Sequence, residues 1–101
     1  VTMAFEMWLP PGDYLIKVVY TKASNCGKFR PHFLGVVGHA LTSVDGYSAT
    51  EVYSVIQEWE YTVETGGPAR VGIITDGKNA SSSNYYTIIG SMAVLPVSGG
   101  F

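Results

Sequence analysis

The sequence predicts an all-β fold, an antiparallel β-sandwich. No stretch places apolar residues at the i, i+3, i+4, i+7 spacing of an amphipathic helix over three turns. Segments with two-residue alternation recur instead, and glycine, proline and asparagine turns separate them. Two of these segments are long and are joined by long return loops, a pattern that favours a jelly-roll-like sandwich over a simple meander.

The first half of the chain contains two clear strands. Residues 3–9 alternate between apolar and mixed positions, and the Pro-Pro-Gly-Asp sequence at 10–13 interrupts them. Residues 14–21 alternate again, with tyrosine, isoleucine and valine at every second position. The short connection predicts that these two strands pair as an antiparallel hairpin. The polar segment 22–30 is predicted to be a loop.

The second half supplies four more strands. They are expected at about 31–38, 50–64, 70–75 and 85–97, and polar or glycine-containing segments connect them. The total is six strands, or seven to eight if the two long ones break. Gly90 lies inside the last strand and predicts a bulge or a close backbone approach there.

The long strand at 50–64 has two distinct faces. Gln57, Trp59, Tyr61 and Val63 share one face, and the carboxylates of Glu58, Glu60 and Glu64 share the other. A row of carboxylates on an antiparallel sheet indicates a face that stays in water. Two carboxylates in such a row are close enough for glycosidase-like chemistry, but a solvated face is the preferred interpretation.

Composition sets the class of protein. The 101 residues form one domain, 1–101, and with 47% hydrophobic and 14% charged residues they are not disordered. A net charge of −2 without a basic stripe argues against nucleic acid as a partner. No apolar run is long enough to insert into a membrane, and Cys26 has no partner for a disulfide. Because the chain begins at Val1, we expect a C-terminal fragment or module of a longer protein.

The sequence offers no set of residues for catalysis. None of its serines lies in a Gly-x-Ser-x-Gly elbow, and Cys26 has no neighbouring base. His32 and His39 are seven residues apart, an odd spacing that directs them to opposite faces of a strand. We therefore expect no metal site, no cofactor and no enzymatic activity.

Carbohydrate binding is the chemistry that the residues favour. Sugars stack their C–H surfaces on aromatic rings that stand away from a protein core, with short polar side chains beside them. Trp8 lies on the opposite face from Phe5 and Met7, and adjacent tyrosines at 85 and 86 cannot both point into the core. The predicted carbohydrate-binding residues are Trp8, Tyr47, Tyr85, Asn84, Asp76 and Arg30. Alternatively, Trp8 fills the sandwich or a subunit contact, since aromatic residues are also enriched at interfaces.

The order of these features resembles a known family. The sequence Leu9-Pro10-Pro11-Gly12-Asp13-Tyr14, followed by an alternating strand, is similar to a hairpin of jelly-roll carbohydrate-binding modules. Such hairpins also occur in the carbohydrate-binding-module-like C-terminal domains of bacteriophage tailspikes and tail fibres. The segments 59–63, 71–74 and 85–89 resemble the closing half of the same modules, so the likeness extends over about 5–95. It implies a homotrimeric surface-recognition domain that binds cell-surface polysaccharide, located extracellularly or on a virion.

A purely structural role is the alternative. The second and last predicted strands are apolar on both faces, as Leu15 and Val19 against Ile16 and Val18 show. A strand covered on both sides indicates a second layer, which a neighbouring subunit can supply. The domain would then trimerise a longer fibre or assist its folding, without any ligand.

Overall fold

The computed structural model describes residues 3–97, with the side chains of residues 4–97. In that range it contains eight β-strands and no helix. The described residues therefore include no helix that is long and apolar enough to cross a membrane. The strands are β1 (Met3–Leu9), β2 (Gly12–Lys22), β3 (Lys28–Leu34), β4 (Val37–Gly38), β5 (Val44–Asp45), β6 (Val52–Thr65), β7 (Gly67–Thr75) and β8 (Ile88–Pro96).

The strands form two four-stranded antiparallel sheets that pack face to face. The front sheet has the order β1-β7-β3-β5, and the back sheet has the order β4-β6-β2-β8. All odd-numbered strands are therefore in front and all even-numbered strands are behind, so each connection crosses from one sheet to the other. This interleaving confirms the predicted antiparallel sandwich of jelly-roll-like topology.

The predicted hairpin between the first two strands is wrong. β1 pairs with β7, from Met3 opposite Ile73 to Leu9 opposite Gly67, whereas β2 lies in the other sheet between β6 and β8. The Pro10-Pro11 connection carries the chain across the sandwich edge instead of reversing it within a sheet. The Tyr14 hydroxyl donates a hydrogen bond of 2.6 Å to the Pro10 carbonyl and stabilises this corner.

Several strand limits also differ from the predicted ones. β3 begins at Lys28, inside the segment predicted as a loop, because the Lys28 N–H donates to the carbonyl of Gly77 next to β7. β8 begins at Ile88, three residues later than predicted. Tyr85 and Tyr86 precede it and are both exposed, which agrees with the expectation that they cannot both point into the core.

Two other predictions are confirmed. Along β6, Trp59 and Tyr61 are buried while Glu58, Glu60 and Glu64 are exposed. Around Gly90, the register between β2 and β8 shifts, and a Cβ at Gly90 would lie 3.3 Å from the Val19 carbonyl oxygen. The glycine thus marks a bulge at a close backbone approach.

The core lies between the sheets and is closed by aromatic rings. The inward residues of β2, from Tyr14 to Tyr20 at alternate positions, face Val71 and Ile73 of the front sheet. Phe29 links the layers, since its ring makes edge contacts with Tyr20 at 5.0 Å and Trp59 at 6.3 Å between centroids. The Trp59 Nε1–H donates to the Thr42 carbonyl at 2.8 Å and fastens the loop before β5 to the core.

Candidate functional site

Trp8 lies on the outer face of the front sheet. Its neighbours Met7 and Leu9 turn toward the core, so alternation along β1 directs Trp8 outward, and 67% of its surface is exposed. The predicted separation of Trp8 from Phe5 and Met7 is confirmed. Trp8 therefore does not fill the core of this chain, and its large apolar ring is free to contact a ligand or another chain.

The register places four other side chains beside this indole. Pro68 of β7 lies opposite Trp8, and Arg70 lies opposite both Glu6 of β1 and Leu34 of β3. We call these five residues, Glu6, Trp8, Leu34, Pro68 and Arg70, the tryptophan platform. They line a groove of about 510 Å³.

The tryptophan platform combines apolar surface with few polar groups. Trp8, Leu34 and Pro68 supply the apolar part, and Leu34 is 50% exposed. Arg70 adds hydrogen-bond donors and Glu6 adds acceptors to the lining of the groove. This composition is that of a small-ligand site, in which a few polar groups orient a molecule held mainly by apolar contact.

A glycine fixes one wall of this groove. Gly35 follows β3 with a φ of 90°, a left-handed conformation that glycine adopts without steric cost. A Cβ at this position would collide with the carbonyl oxygen of Pro68. The residue type thus allows the chain after β3 to pack directly against β7, under the tryptophan platform.

The other predicted site residues lie elsewhere. Arg30 forms an ion pair with Asp76, with Nε 3.6 Å from Oδ2, and the Ser43 hydroxyl also donates to Asp76. Asp76 directly follows β7 and comes eight residues after Pro68, about 26 Å at the rise of a strand. The structure therefore separates Trp8 from Arg30 and Asp76 by most of the length of the sheet.

Tyr47, Asn84 and Tyr85 belong to the loops at that far end. The strand-like pairing of Ala23 with Tyr47 and of Cys26 with Tyr86 ties these segments to the loop after β2. The Asn84 side-chain oxygen accepts the Tyr85 N–H at 2.8 Å. Lys78 Nζ lies 5.8 Å from the centroid of the Tyr85 ring. Several polar groups of these loops thus bond to one another.

Asp45 is a carboxylate that hydrogen bonds hold within this loop cluster. It accepts hydrogen bonds from Asn79 Nδ2 at 2.8 Å and from the Tyr47 N–H at 3.0 Å. Burial by itself raises the pKa of Asp45, but these bonds and the nearby Lys28 and Lys22 outweigh it and hold the pKa below its usual value. Among the described residues, no three His, Cys, Asp or Glu side chains are grouped to hold a metal ion.

A second groove, of about 380 Å³, was not predicted from the sequence. It lies between β3 and the segment 36–41, where the rings of Phe33 and Tyr61 stack at 4.5 Å. His39 also lies against Tyr61, at 5.3 Å between ring centroids, and its Nε2 accepts the Thr62 N–H. These residues come from both sheets, and no local pattern in the sequence indicates that they meet.

The outer face of the back sheet carries a different surface. Lys17 lies opposite Glu58, and Leu15 lies opposite both Glu60 and Leu95. Ile56 is 55% exposed on the same face. The face therefore mixes carboxylates with apolar side chains, as the alternation of β2 and β6 predicts.

Comparison with known proteins indicates a fold without showing a family. No family model matches the chain, and no curated protein matches it either. A solved structure of a Paenibacillus xanthan lyase is similar over 93% of this chain, with 23% sequence identity and a TM-score of 0.63. This chain covers 9% of the length of that enzyme. The chain therefore shares its β-sandwich fold with a small part of a much longer polysaccharide lyase.

Proposed function

We propose that the chain is a non-catalytic carbohydrate-binding module and that the tryptophan platform is its binding surface. The observation that carries the proposal is the exposed indole of Trp8, held on a rigid strand pair beside Arg70 and Glu6. An exposed tryptophan keeps a large apolar surface in contact with water, which is unfavourable. A sugar ring that stacks on the indole removes that surface from water.

The structural neighbour supports the same class of ligand. The name of that enzyme states that it acts on xanthan, a polysaccharide, and this fold corresponds to a small part of its chain. A module of this size, attached to a longer protein, would hold that protein on an insoluble or polymeric carbohydrate. We propose an extracellular or cell-surface location on the same grounds, because polysaccharides of this type lie outside cells.

Titration of Trp8 fluorescence tests the proposal. The chain has two tryptophans, and Trp59 is buried, so iodide quenches mainly the emission of Trp8. We expect soluble polysaccharide to protect Trp8 from iodide, and Trp8→Ala to weaken retention of the protein in a polysaccharide-containing native gel. A central aromatic contact contributes about 2 kcal/mol, so the loss of affinity should be about 30-fold.

Tyr53→Ala is the matched control. Tyr53 is 68% exposed, as Trp8 is, but it lies on β6 in the back sheet. The Tyr53 variant should bind as the wild-type protein does. Equal binding by the Trp8 variant and the wild type would refute the tryptophan platform as the binding surface. No retention on any polysaccharide of a bacterial surface panel would refute the carbohydrate function.

Self-assembly is a second candidate function, supported by the back sheet. Ile56, Ile88 and Leu95 are all at least 45% exposed, and the pairing with β2 places them on its outer face. We propose that this face contacts other copies of the chain in a homotrimer, either beside carbohydrate binding or as a purely structural role. Sedimentation equilibrium tests this proposal. A wild-type trimer that becomes monomeric in the Ile56→Lys variant would support it, and a wild-type protein that stays monomeric over a 100-fold range of concentration would refute it.

A further inference from the structure

Both arginines of the chain lie on the outer face of the front sheet. Arg30 and Arg70 are the only arginines in the sequence. Arg70 lies on β7 between Glu6 and Leu34, and Arg30 lies on β3 opposite Ile74. The buried residues Phe29, Pro31, Ala69 and Val71 alternate with them, so both side chains point outward.

His32 lies between the two arginines on the sheet. Trp8 and Arg70 are diagonal neighbours on β1 and β7, and Arg70 and His32 are diagonal neighbours on β7 and β3. Diagonal positions of an antiparallel pair are about 7–8 Å apart, and Arg30 lies two residues beyond His32, about 7 Å further. We call the path Trp8, Arg70, His32 and Arg30 the basic strip.

No carboxylate of the described residues forms a salt bridge with the guanidinium of Arg70. Within residues 3–97, the salt bridge that the structure contains joins Arg30 to Asp76, and no carboxylate lies within 4 Å of Arg70. Glu6 is opposite Arg70 in register but does not pair with it. Arg30 contacts Asp76 through Nε, which leaves its two terminal nitrogens for another partner.

Charge is divided between the two outer faces. On the front sheet, Lys28 lies opposite Asp45 of β5 and Arg30 pairs with Asp76, while Arg70 and Glu6 are opposite in register without a salt bridge. On the back strands β2 and β6, two lysines (Lys17 and Lys22) are outnumbered by four carboxylates, those of Asp13, Glu58, Glu60 and Glu64. A chain of net charge −2 has thus placed one of its six cationic side chains, Arg70, beside its exposed tryptophan.

We propose that the basic strip selects an acidic polysaccharide, one whose sugar units carry carboxylates. This inference rests on the carbohydrate function proposed above and names its ligand class. Trp8 stacks on one sugar ring, and the planar guanidinium of Arg70 donates two parallel hydrogen bonds to the carboxylate of the next unit. His32 and Arg30 extend the contact to further units along the same chain.

Carboxyl reduction of the ligand isolates this interaction. Xanthan and polygalacturonate are each compared with their carboxyl-reduced forms, which keep the sugar chain and lose the charge. We expect the wild-type protein to bind both native polymers about 10- to 100-fold more tightly than the reduced forms, the range typical of hydrogen bonds to charged groups. Arg70→Gln should remove most of this preference, so that the variant binds native and reduced polymers with similar affinity.

Lys17→Gln on the back sheet is the matched control, since it removes one positive charge from the opposite face. It should retain the preference for native polymers. Equal binding of native and reduced polymers by the wild type, or equal losses in the Arg70 and Lys17 variants, would overturn the basic strip while leaving carbohydrate binding intact. Failure to bind any form, native or reduced, would overturn both proposals together.

Discussion

Gly35→Ala is expected to destabilise the protein strongly, for two separate reasons. The φ of 90° is unfavourable for alanine, and the new Cβ would collide with the Pro68 carbonyl oxygen. The conformational cost is about 1–3 kcal/mol for a non-glycine residue at such an angle. Overpacking against a fixed neighbour adds about 1–3 kcal/mol, because β7 is a central strand and cannot move freely. We expect a total loss of about 2–6 kcal/mol.

Gly77→Ala separates these two costs. Gly77 has a similar φ of 82°, but none of the described atoms lies within 4 Å of the position that its Cβ would take. Its substitution should therefore cost only the conformational part, about 1–3 kcal/mol. The difference between the two variants measures the clash with Pro68, and we expect about 1–3 kcal/mol.

Equilibrium unfolding in urea, with a shared slope for all variants, provides the measurement. Equal free energies of unfolding for the two alanine variants would refute the argument that close packing requires glycine at position 35. A Gly35→Ala variant that is less stable yet binds polysaccharide normally would show that this wall of the groove is not needed by the ligand.

Two further predictions concern titratable groups. The pKa of Asp45 is lowered in the folded state, so its contribution to stability is present above the unfolded pKa of about 3.9 and is lost as the pH falls through the folded value. Between pH 5 and pH 2, the Asp45→Asn variant should lose less free energy of unfolding than the wild type does. Equal losses in the two proteins, measured by urea unfolding, would contradict this. Burial raises the pKa of the Cys26 thiol, and the charge of Glu51 adds to the rise. At pH 8, iodoacetamide should therefore modify Cys26 at least about 100-fold more slowly in the native protein than in urea, with the reaction measured by mass spectrometry. Fast alkylation of the native protein would contradict this, because it would show that the thiol is accessible.

Side-chain direction was predictable because alternation is a local property. The strand pattern of β6 correctly assigned Trp59 to the core and Glu58 to water, and that of β1 placed Trp8 outward. In a strand, each residue's direction depends on its neighbours alone. The outward position of Trp8, and so part of the proposed site, was accessible from the sequence.

Strand partners were not predictable in the same way. Nearly every residue offers the same backbone N–H and C=O groups for hydrogen bonding. Residues 3–9 therefore contain no signal that their partner strand is β7 and not β2. The short Pro10-Pro11 connection suggested a hairpin, but both strands have an apolar face, and placing them in opposite sheets buries both faces in one core. The wrong hairpin follows from applying a local rule to a choice that the whole core determines.

The sequence by itself determined an antiparallel sandwich, the faces of its long strands, a glycine bulge at Gly90 and an outward Trp8, because alternation and turn chemistry are encoded within a few residues. Only the tertiary structure decided that Trp8 lies beside Arg70 and far from Asp76, and that Phe33 meets Tyr61 across the sandwich edge. These contacts join residues distant in sequence, and they depend on which strands pair. The pairing of strands depends on burying the apolar faces of all strands in one core. The proposed binding surface therefore exists only in the folded protein.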